Sequence, residues 1–204
     1  MRGLYLITND DPFDMLHQKL HIAMQHTAIA LVQYRRKNVV PAVQLQEVDA
    51  LLELCQRYQV PLVINDNLAL AQQFGCGLHL GQGDGSLLEA RARLGAQAII
   101  GRTCHDSLAL ATQAANDGAS YLAFGAVFPS ATKPNAQQVS LAVLQQAKLQ
   151  FALPICVIGG LSVENSQPLV DMGIELYAVV GDILNLQVTQ VAQRVKAWQA
   201  LLNV

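Results

Sequence analysis

Short apolar runs recur along the chain, and each ends in polar or small residues. In order they read LYLIT, IALVQYR, PLVIN, GLHLG, AIIGR, YLAFG, PICVIGG and LYAVVG, eight in all. Most are uninterrupted rather than alternating, which is how strands covered on both faces read. Between most of them lie stretches with apolar residues at helical spacing, such as VQLQEVDALLELCQRY and SLALATQAANDGA. Strand–helix alternation predicts parallel strands joined by crossover helices. Eight such units in 204 residues predict a single α/β domain, a (β/α)8 TIM barrel spanning 1–204. A doubly wound sheet is the competitor that periodicity does not separate. No linker, low-complexity segment or long charge run divides the chain.

Composition narrows the function classes. The chain is 52% hydrophobic and only 14% charged, with a net charge of -2 and no basic run. A broad electrostatic surface for nucleic acid is therefore not expected. Cys55, Cys76, Cys104 and Cys156 form no CxxC pair, and read as small buried thiols of a reducing compartment. The N-terminus MRGLYLITND has no apolar h-region followed by a cleavage site, so a leader is not expected. No apolar run approaches the roughly 20 residues that span a bilayer. The expectation is a cytoplasmic protein with no membrane partner.

In a barrel of this type the loops after the C-terminal strand ends form the active face. Thr8, Asn9, Asp10 and Asp11 follow the first run; Gln33, Arg35, Arg36 and Lys37 lie in or after the second. Asn65 and Asp66 end the third, Gln82 and Asp84 follow the fourth, and Arg102, Thr103 and His105 end the fifth. Ser130, Thr132 and Lys133 follow the sixth, Gly159 and Gly160 the seventh, and Gly181 and Asp182 the eighth. Taken singly, each ending has two readings. Asn65-Asp66 suits a turn or cap as well as a ligand, and Asp84 suits a cap for a helix starting near Ser86. Arg35 and Lys37, two apart on a strand, would share a face as a phosphate clamp or as a solvated strand end. The glycine pairs suit tight turns or a phosphate cradle of backbone N–H groups. Two carboxylates after adjacent strands are able to hold Mg2+ while leaving room for phosphate oxygens. Together these endings suggest a diphosphate meeting a monophosphate.

The stretches LYLITND, VQYRRK, VINDNLALA, GLHLGQGD, GRTCHD, YLAFGAVFPSATKPNA, ICVIGGLSVEN and AVVGDIL resemble, in order and spacing, the thiamine-phosphate synthase family, also called thiamine-phosphate pyrophosphorylase. The resemblance runs nearly end to end. It implies a (β/α)8 barrel that joins an aminopyrimidine diphosphate to a thiazole phosphate and releases pyrophosphate. It implies that Gln33, Arg35, Lys37, Asn65, Thr103 and Lys133 bind the pyrimidine diphosphate, with Arg35, Lys37 and Lys133 catalytic. Asp66 and Asp84 would ligate Mg2+. Ser130, Ala131, Thr132, Gly160, Val180 and Gly181 would bind the thiazole phosphate. The implied partners are phosphorylated small molecules. Assembly is open, with a homodimer one candidate.

The chain departs from the family pattern at several positions. Arg36 stands where the family often has a carboxylate, Thr103 replaces a usual Ser, and Ser130 a usual Thr. Gly181 replaces a Ser, and Asp182 a small apolar residue. An inward Asp182 would repel a phosphate, and that orientation is the expectation here. Asn67 is expected to start the next helix. Two rivals remain: a thiazole tautomerase of the same superfamily with His105 as acid or base, and a phosphate-ligand sensor without turnover.

Overall fold

The uninterrupted runs become strands because both of their faces find cover. In the computed structural model, which describes residues 1–129 and 138–203, they are β1 (Gly3–Ile7), β2 (Ile29–Tyr34), β3 (Leu62–Asn65), β4 (Gly77–Leu80), β5 (Ile100–His105), β6 (Tyr121–Gly125), β7 (Ile155–Ile158) and β8 (Leu176–Val179). Neighbours pair in parallel and in chain order. β8 returns to β1, from Gly3↔Leu176 to Leu6↔Val179, and closes the ring. The predicted (β/α)8 barrel is therefore the fold, and an open doubly wound sheet is excluded by the β1–β8 pairing.

The crossover helices are α1 (Phe13–His26), α2 (Pro41–Arg57), α3 (Leu68–Phe74), α4 (Leu87–Leu94), α5 (Leu108–Asn116), α6 (Leu141–Gln150) and α7 (Gln167–Asp171). A short α8 (Gly181–Leu184) and a long α9 (Val188–Leu202) follow β8. Local chemistry sets several starts. Asn67, Ser86, Ser107 and Ser140 each accept a hydrogen bond from a backbone N–H in the first turn, at 3.0 to 3.3 Å, which satisfies a donor the helix itself cannot. Asn67 thus starts α3 as expected. Ser86, not Asp84, caps α4. In α9, Val191, Val195, Trp198 and Leu202 recur at helical spacing and are buried, and the helix packs against α1.

Strand alternation creates two apolar regions. Leu4 and Leu6 of β1 face the helices, while Tyr5 and Ile7 face the lumen with Leu31, Val63, Tyr121, Cys156 and Leu176. The lumen is filled rather than open. Tyr5 and Tyr121 meet edge to face, ring centroids 5.8 Å apart, with their hydroxyls 2.8 Å from each other. Gly101 makes the space. A Cβ there would lie 2.5 Å from Tyr121 Cε1 and closer still to its Cζ and hydroxyl oxygen. All four cysteines are buried and free. Among the described residues no helix is long and apolar enough to cross a membrane.

Replacing Gly101 with Ala should cost about 1–3 kcal/mol, because overpacking forces side chains off their rotamers. Gly83→Ala, where nothing lies within 4 Å, should change stability by less than about 0.5 kcal/mol. Denaturant unfolding of both variants decides it, and equal stabilities would contradict the lumen assignment.

Candidate active site

The C-terminal strand ends bring most of the predicted residues to one face. Strand β2 stops at Tyr34, so Gln33 lies in it, but Arg35 and Lys37 lie past its end. The two-residue strand spacing therefore does not align that pair, which corrects the sequence expectation. They converge by another route. Arg35, Lys37, Asn65 and Asp66 line one cleft of about 260 Å³ beside Tyr34 and Gln44. The Arg35 N–H donates to Thr8 Oγ1 at 2.7 Å, so the loop after β1 fixes where the Arg35 backbone sits. Lys37 Nζ is 3.3 Å from Asp66 Oδ2. A larger hollow of about 530 Å³ lies at the opposite, N-terminal end of β3 and β4, away from the face where barrels of this kind do chemistry.

Asp66 occupies an unusual backbone conformation, φ 61°, a region where non-glycine residues carry strain. Its position is held by several bonds. The Asp66 N–H donates to the His79 carbonyl at 2.8 Å. Its Oδ2 accepts from Asn65 Nδ2 at 2.5 Å, and its Oδ1 accepts from the Gly81 N–H at 3.4 Å. Asp84 comes to the same place from the next loop. Its N–H donates to the Gly81 carbonyl at 3.3 Å, and its carboxylate lies where a side chain on Gly81 would project. Gly81 therefore lets two carboxylates close over one backbone segment. Arg102 braces the loop, donating to the carbonyls of Gly85 at 3.0 Å and Gln82 at 3.2 Å. Two carboxylates are hard oxygen donors of the kind Mg2+ takes, with water and phosphate oxygens completing its shell.

A polar chain crosses the lumen beneath this face, and sequence reasoning missed it. Gln33 Nε2 donates to the Tyr5 hydroxyl at 2.5 Å, Tyr5 meets Tyr121 at 2.8 Å, Tyr121 meets His79 Nδ1 at 2.8 Å, and His79 Nε2 meets Thr103 Oγ1 at 2.9 Å. Two residues implied by the resemblance, Gln33 and Thr103, are its ends. The Gln33 amide N–H donates to the Tyr5 oxygen; from Tyr5 to Thr103 each group is able to donate or accept, so the His79 tautomer sets the direction of the rest of the chain. His79 is held neutral, its pKa pushed down to about 4, chiefly by burial; Asp66 opposes that shift and Arg102 adds to it. The signal was present in GLHL. Leu78 and Leu80 are fully buried on the helix side, so the histidine between them must face the lumen.

Two departures from the family pattern resolve as structural ion pairs. Arg36 sits 3.0 Å from Glu47 Oε2 through Nε and donates through Nη1 to the carbonyls of Asn9 and Asp11 at 3.1 and 2.5 Å. It ties the loop after β1 to α2, and Tyr34 adds a bond to the same Glu47 oxygen at 2.7 Å. Asp182 does not point into the site, which corrects the inward expectation. Its carboxylate accepts from Arg194 Nε at 2.8 Å, from Arg194 Nη2, and from Trp198 Nε1 at 2.7 Å. Two strong donors on α9 outcompete an unpaired inward carboxylate.

Gly159, Gly160, Val180 and Gly181 frame the remaining rim. Gly160 has φ 62°, and a Cβ there would lie 2.8 Å from the Phe128 carbonyl oxygen, so only glycine lets the loops approach so closely. Val180 precedes the first turn of α8. His105 is the last residue of β5 and exposed, with φ 53°. Ser130, Ala131, Thr132 and Lys133 lie outside the described residues.

The C-terminal face of this (β/α)8 barrel gathers cations, carboxylates and a glycine-rich rim. Residues 4–183 match the family described as thiamine monophosphate synthase. The chain belongs to that family. Among solved structures it is similar to thiamine phosphate pyrophosphorylase from Pyrococcus furiosus, at 24% identity and TM-score 0.87, covering 98% of this chain and 95% of that one. It is also similar to thiamine phosphate pyrophosphorylase from Bacteroides thetaiotaomicron, at 16% identity and TM-score 0.73, covering 98% of each chain. A 3-hexulose-6-phosphate synthase from Salmonella typhimurium shares the fold at 15% identity and TM-score 0.72, covering 100% of this chain and 99% of that one. At these identities the structural likenesses establish the fold alone.

The depressed His79 value carries a pH signature. The unfolded chain takes up the imidazole proton near pH 6.5 and the folded one only near 4. The associated stability is fully present above pH 6.5 and is lost as pH falls toward 4. The stability advantage of the wild type over His79→Gln should therefore shrink across that window. Urea unfolding at several pH values measures it, and a constant difference would contradict the neutral histidine.

Proposed function

We propose that this protein condenses 4-amino-2-methyl-5-hydroxymethylpyrimidine diphosphate with hydroxyethylthiazole phosphate to give thiamine phosphate and pyrophosphate. The observation that supports this most is the meeting of Asp66 and Asp84 at Gly81, with Lys37 on Asp66 and Arg35 and Asn65 lining the same cleft as Asp66. A cation clamp and a carboxylate pair at one strand-end cleft suit a metal-bound diphosphate. Family membership favours the same reading.

Each residue then has a part. Asp66 and Asp84 would hold Mg2+, which when bound supplies charge neutralisation to the diphosphate. Arg35 takes phosphate oxygens through its planar fork, and Lys37 serves as a point charge. Thr103, its hydroxyl held 2.9 Å from His79 Nε2, is placed to meet a phosphate oxygen. Asn65 faces the aminopyrimidine. Lys133, outside the described residues, would add a further cation for the diphosphate. Gly160, Val180 and Gly181 take the thiazole phosphate through backbone N–H groups, and Ser130, Ala131 and Thr132, outside the described residues, would serve the same substrate.

The reaction breaks the bond between the pyrimidine methylene and the diphosphate oxygen, and the electron pair leaves with pyrophosphate. The electron-rich ring carries the positive charge that develops on the methylene. The thiazole nitrogen donates its lone pair to that carbon and forms the new C–N bond. No proton has to move, so the site needs charge stabilisation and alignment rather than a general base.

Asp66→Ala and Asp84→Ala should each lower Mg2+-dependent condensation at least tenfold, about 1.4 kcal/mol of barrier. Product formation titrated with Mg2+ checks this, and full activity of both variants at limiting Mg2+ would remove the metal assignment. Arg35→Ala should lose turnover while its melting temperature stays within about 2 °C of wild type, since a rim substitution leaves the core intact. A collapsed melting temperature would make Arg35 structural.

A further inference from the structure

The glycine-rich rim is built from two loops that share no strand pairing with each other beyond β7 and β8. One carries Gly159 and Gly160, the other Val180 and Gly181. Both are tied to one residue of α9. Arg194 donates from Nη1 and Nη2 to the two oxygens of Glu164 at 2.6 Å each, a two-pronged pair. The same guanidinium donates from Nε at 2.8 Å, and again from Nη2, to Asp182. Asp182 is the residue next to Gly181. Glu164 lies four residues beyond Gly160 in the same loop, whose shape is fixed by Asn165: its Nδ2 donates to the Gly160 carbonyl at 2.8 Å, and its Oδ1 accepts from the Ser162 N–H at 2.8 Å.

The anchor itself does not yield. Trp198, one turn beyond Arg194 on α9, is fully buried, packs against Tyr177 of β8 with ring centroids 6.1 Å apart, and donates to Asp182 at 2.7 Å. Asp182 is thus pinned by two α9 side chains, and its side chain is only 12% exposed. Glu164 is 68% exposed and would wander without its partner.

We infer that Arg194 is a positioning residue for the thiazole-phosphate subsite, holding the Gly160 loop and the Gly181 turn at the separation that lets their N–H groups meet one phosphate. The inference rests on the condensation reading given above. It also explains why the two departures occur together. Gly181 gives up a hydroxyl donor and gains backbone freedom, and Asp182 supplies the handle by which α9 removes that freedom. An Arg fork is needed because one guanidinium must face two carboxylates at once; the single ammonium of Lys cannot keep both.

The test is calorimetric binding of hydroxyethylthiazole phosphate, and separately of the pyrimidine diphosphate with Mg2+, to wild type, Arg194→Ala, Arg194→Lys and Glu164→Ala. Steady-state kinetics and thermal melting accompany it. Arg194→Ala should bind thiazole phosphate about tenfold more weakly, with pyrimidine-diphosphate affinity and kcat within about twofold of wild type. Arg194→Lys should recover part of the loss. Glu164→Ala, at an exposed position that leaves Asp182 paired, should show a smaller loss in the same substrate only, and it keeps the test open if Arg194→Ala does not fold. Unchanged thiazole-phosphate affinity in the folded variants overturns the inference while condensation stands. Equal loss of both substrates overturns it too, since that marks a general structural role. A wild type that binds thiazole phosphate but forms no product refutes condensation, and the binding series still decides the role of Arg194. A wild type that binds no thiazole phosphate overturns both.

Discussion

Closing eight short parallel strands into a ring leaves a lumen that side chains must fill, and here the filling is done by two tyrosines and a histidine rather than by aliphatic residues alone. Tyr5 and Tyr121 bring two hydroxyls into a space without bulk water, and an unpaired hydroxyl there would cost several kcal/mol at worst. The hydroxyls therefore have to be chained. Gln33 starts the chain and His79 passes it to Thr103. Gly101 concedes its side chain so that Tyr121 fits. What begins as a packing constraint ends as a positioned hydroxyl at the active face, because the chain terminates where the strands do. The rigid interior thus orients the rim.

The same economy governs the charges of the rim. The chain has few charged residues, 13 Lys and Arg against 15 Asp and Glu, and several of those near the active face are committed to structure. Lys19 is 3% exposed and bonds to Asp11 and to the Leu184 carbonyl at 2.6 Å each, fastening α1 beneath α8. Arg36 and Glu47 fasten the loops after β1 and β2 to α2. Asp182, Arg194 and Glu164 fasten the loops after β7 and β8 to α9. Half-buried pairs of this kind are strongly destabilising to break and of modest net value to have, so their effect here is geometric. Arg35, Lys37 and Asp66 line one cleft, where Lys37 and Asp66 pair with each other, and Asp84 meets Asp66 at Gly81.

Much of this was legible in the sequence, and the boundary is physical. Uninterrupted apolar runs announce strands covered on both sides, and Asn67 announces a helix start, because both depend on neighbours a few residues away. The joint placement of Asn65, Asp66 and Asp84 followed from the rule that barrel strands end on one face. Lys37 and Arg35 were placed by strand parity, although β2 ends before them and a cleft, not a pleat, brings them together. Asp182 was misread because its partners, Arg194 and Trp198, lie on a different helix, and only the packed α9 shows that the carboxylate is already satisfied. His79 was overlooked for a related reason. Its parity was readable from GLHL, but Tyr5 and Tyr121, which give that histidine its role, are brought to it only by closure of the barrel.

Condensation itself is tested most directly in a single turnover. Protein in excess over both substrates is mixed with Mg2+, quenched and resolved by mass spectrometry. Thiamine phosphate and pyrophosphate should appear in equal amounts, and only when both substrates are present. Folded protein that binds the substrates yet forms neither product would contradict the account and leave a ligand sensor. Isomerisation of a thiazole carboxylate phosphate without any condensation would contradict it in favour of a tautomerase.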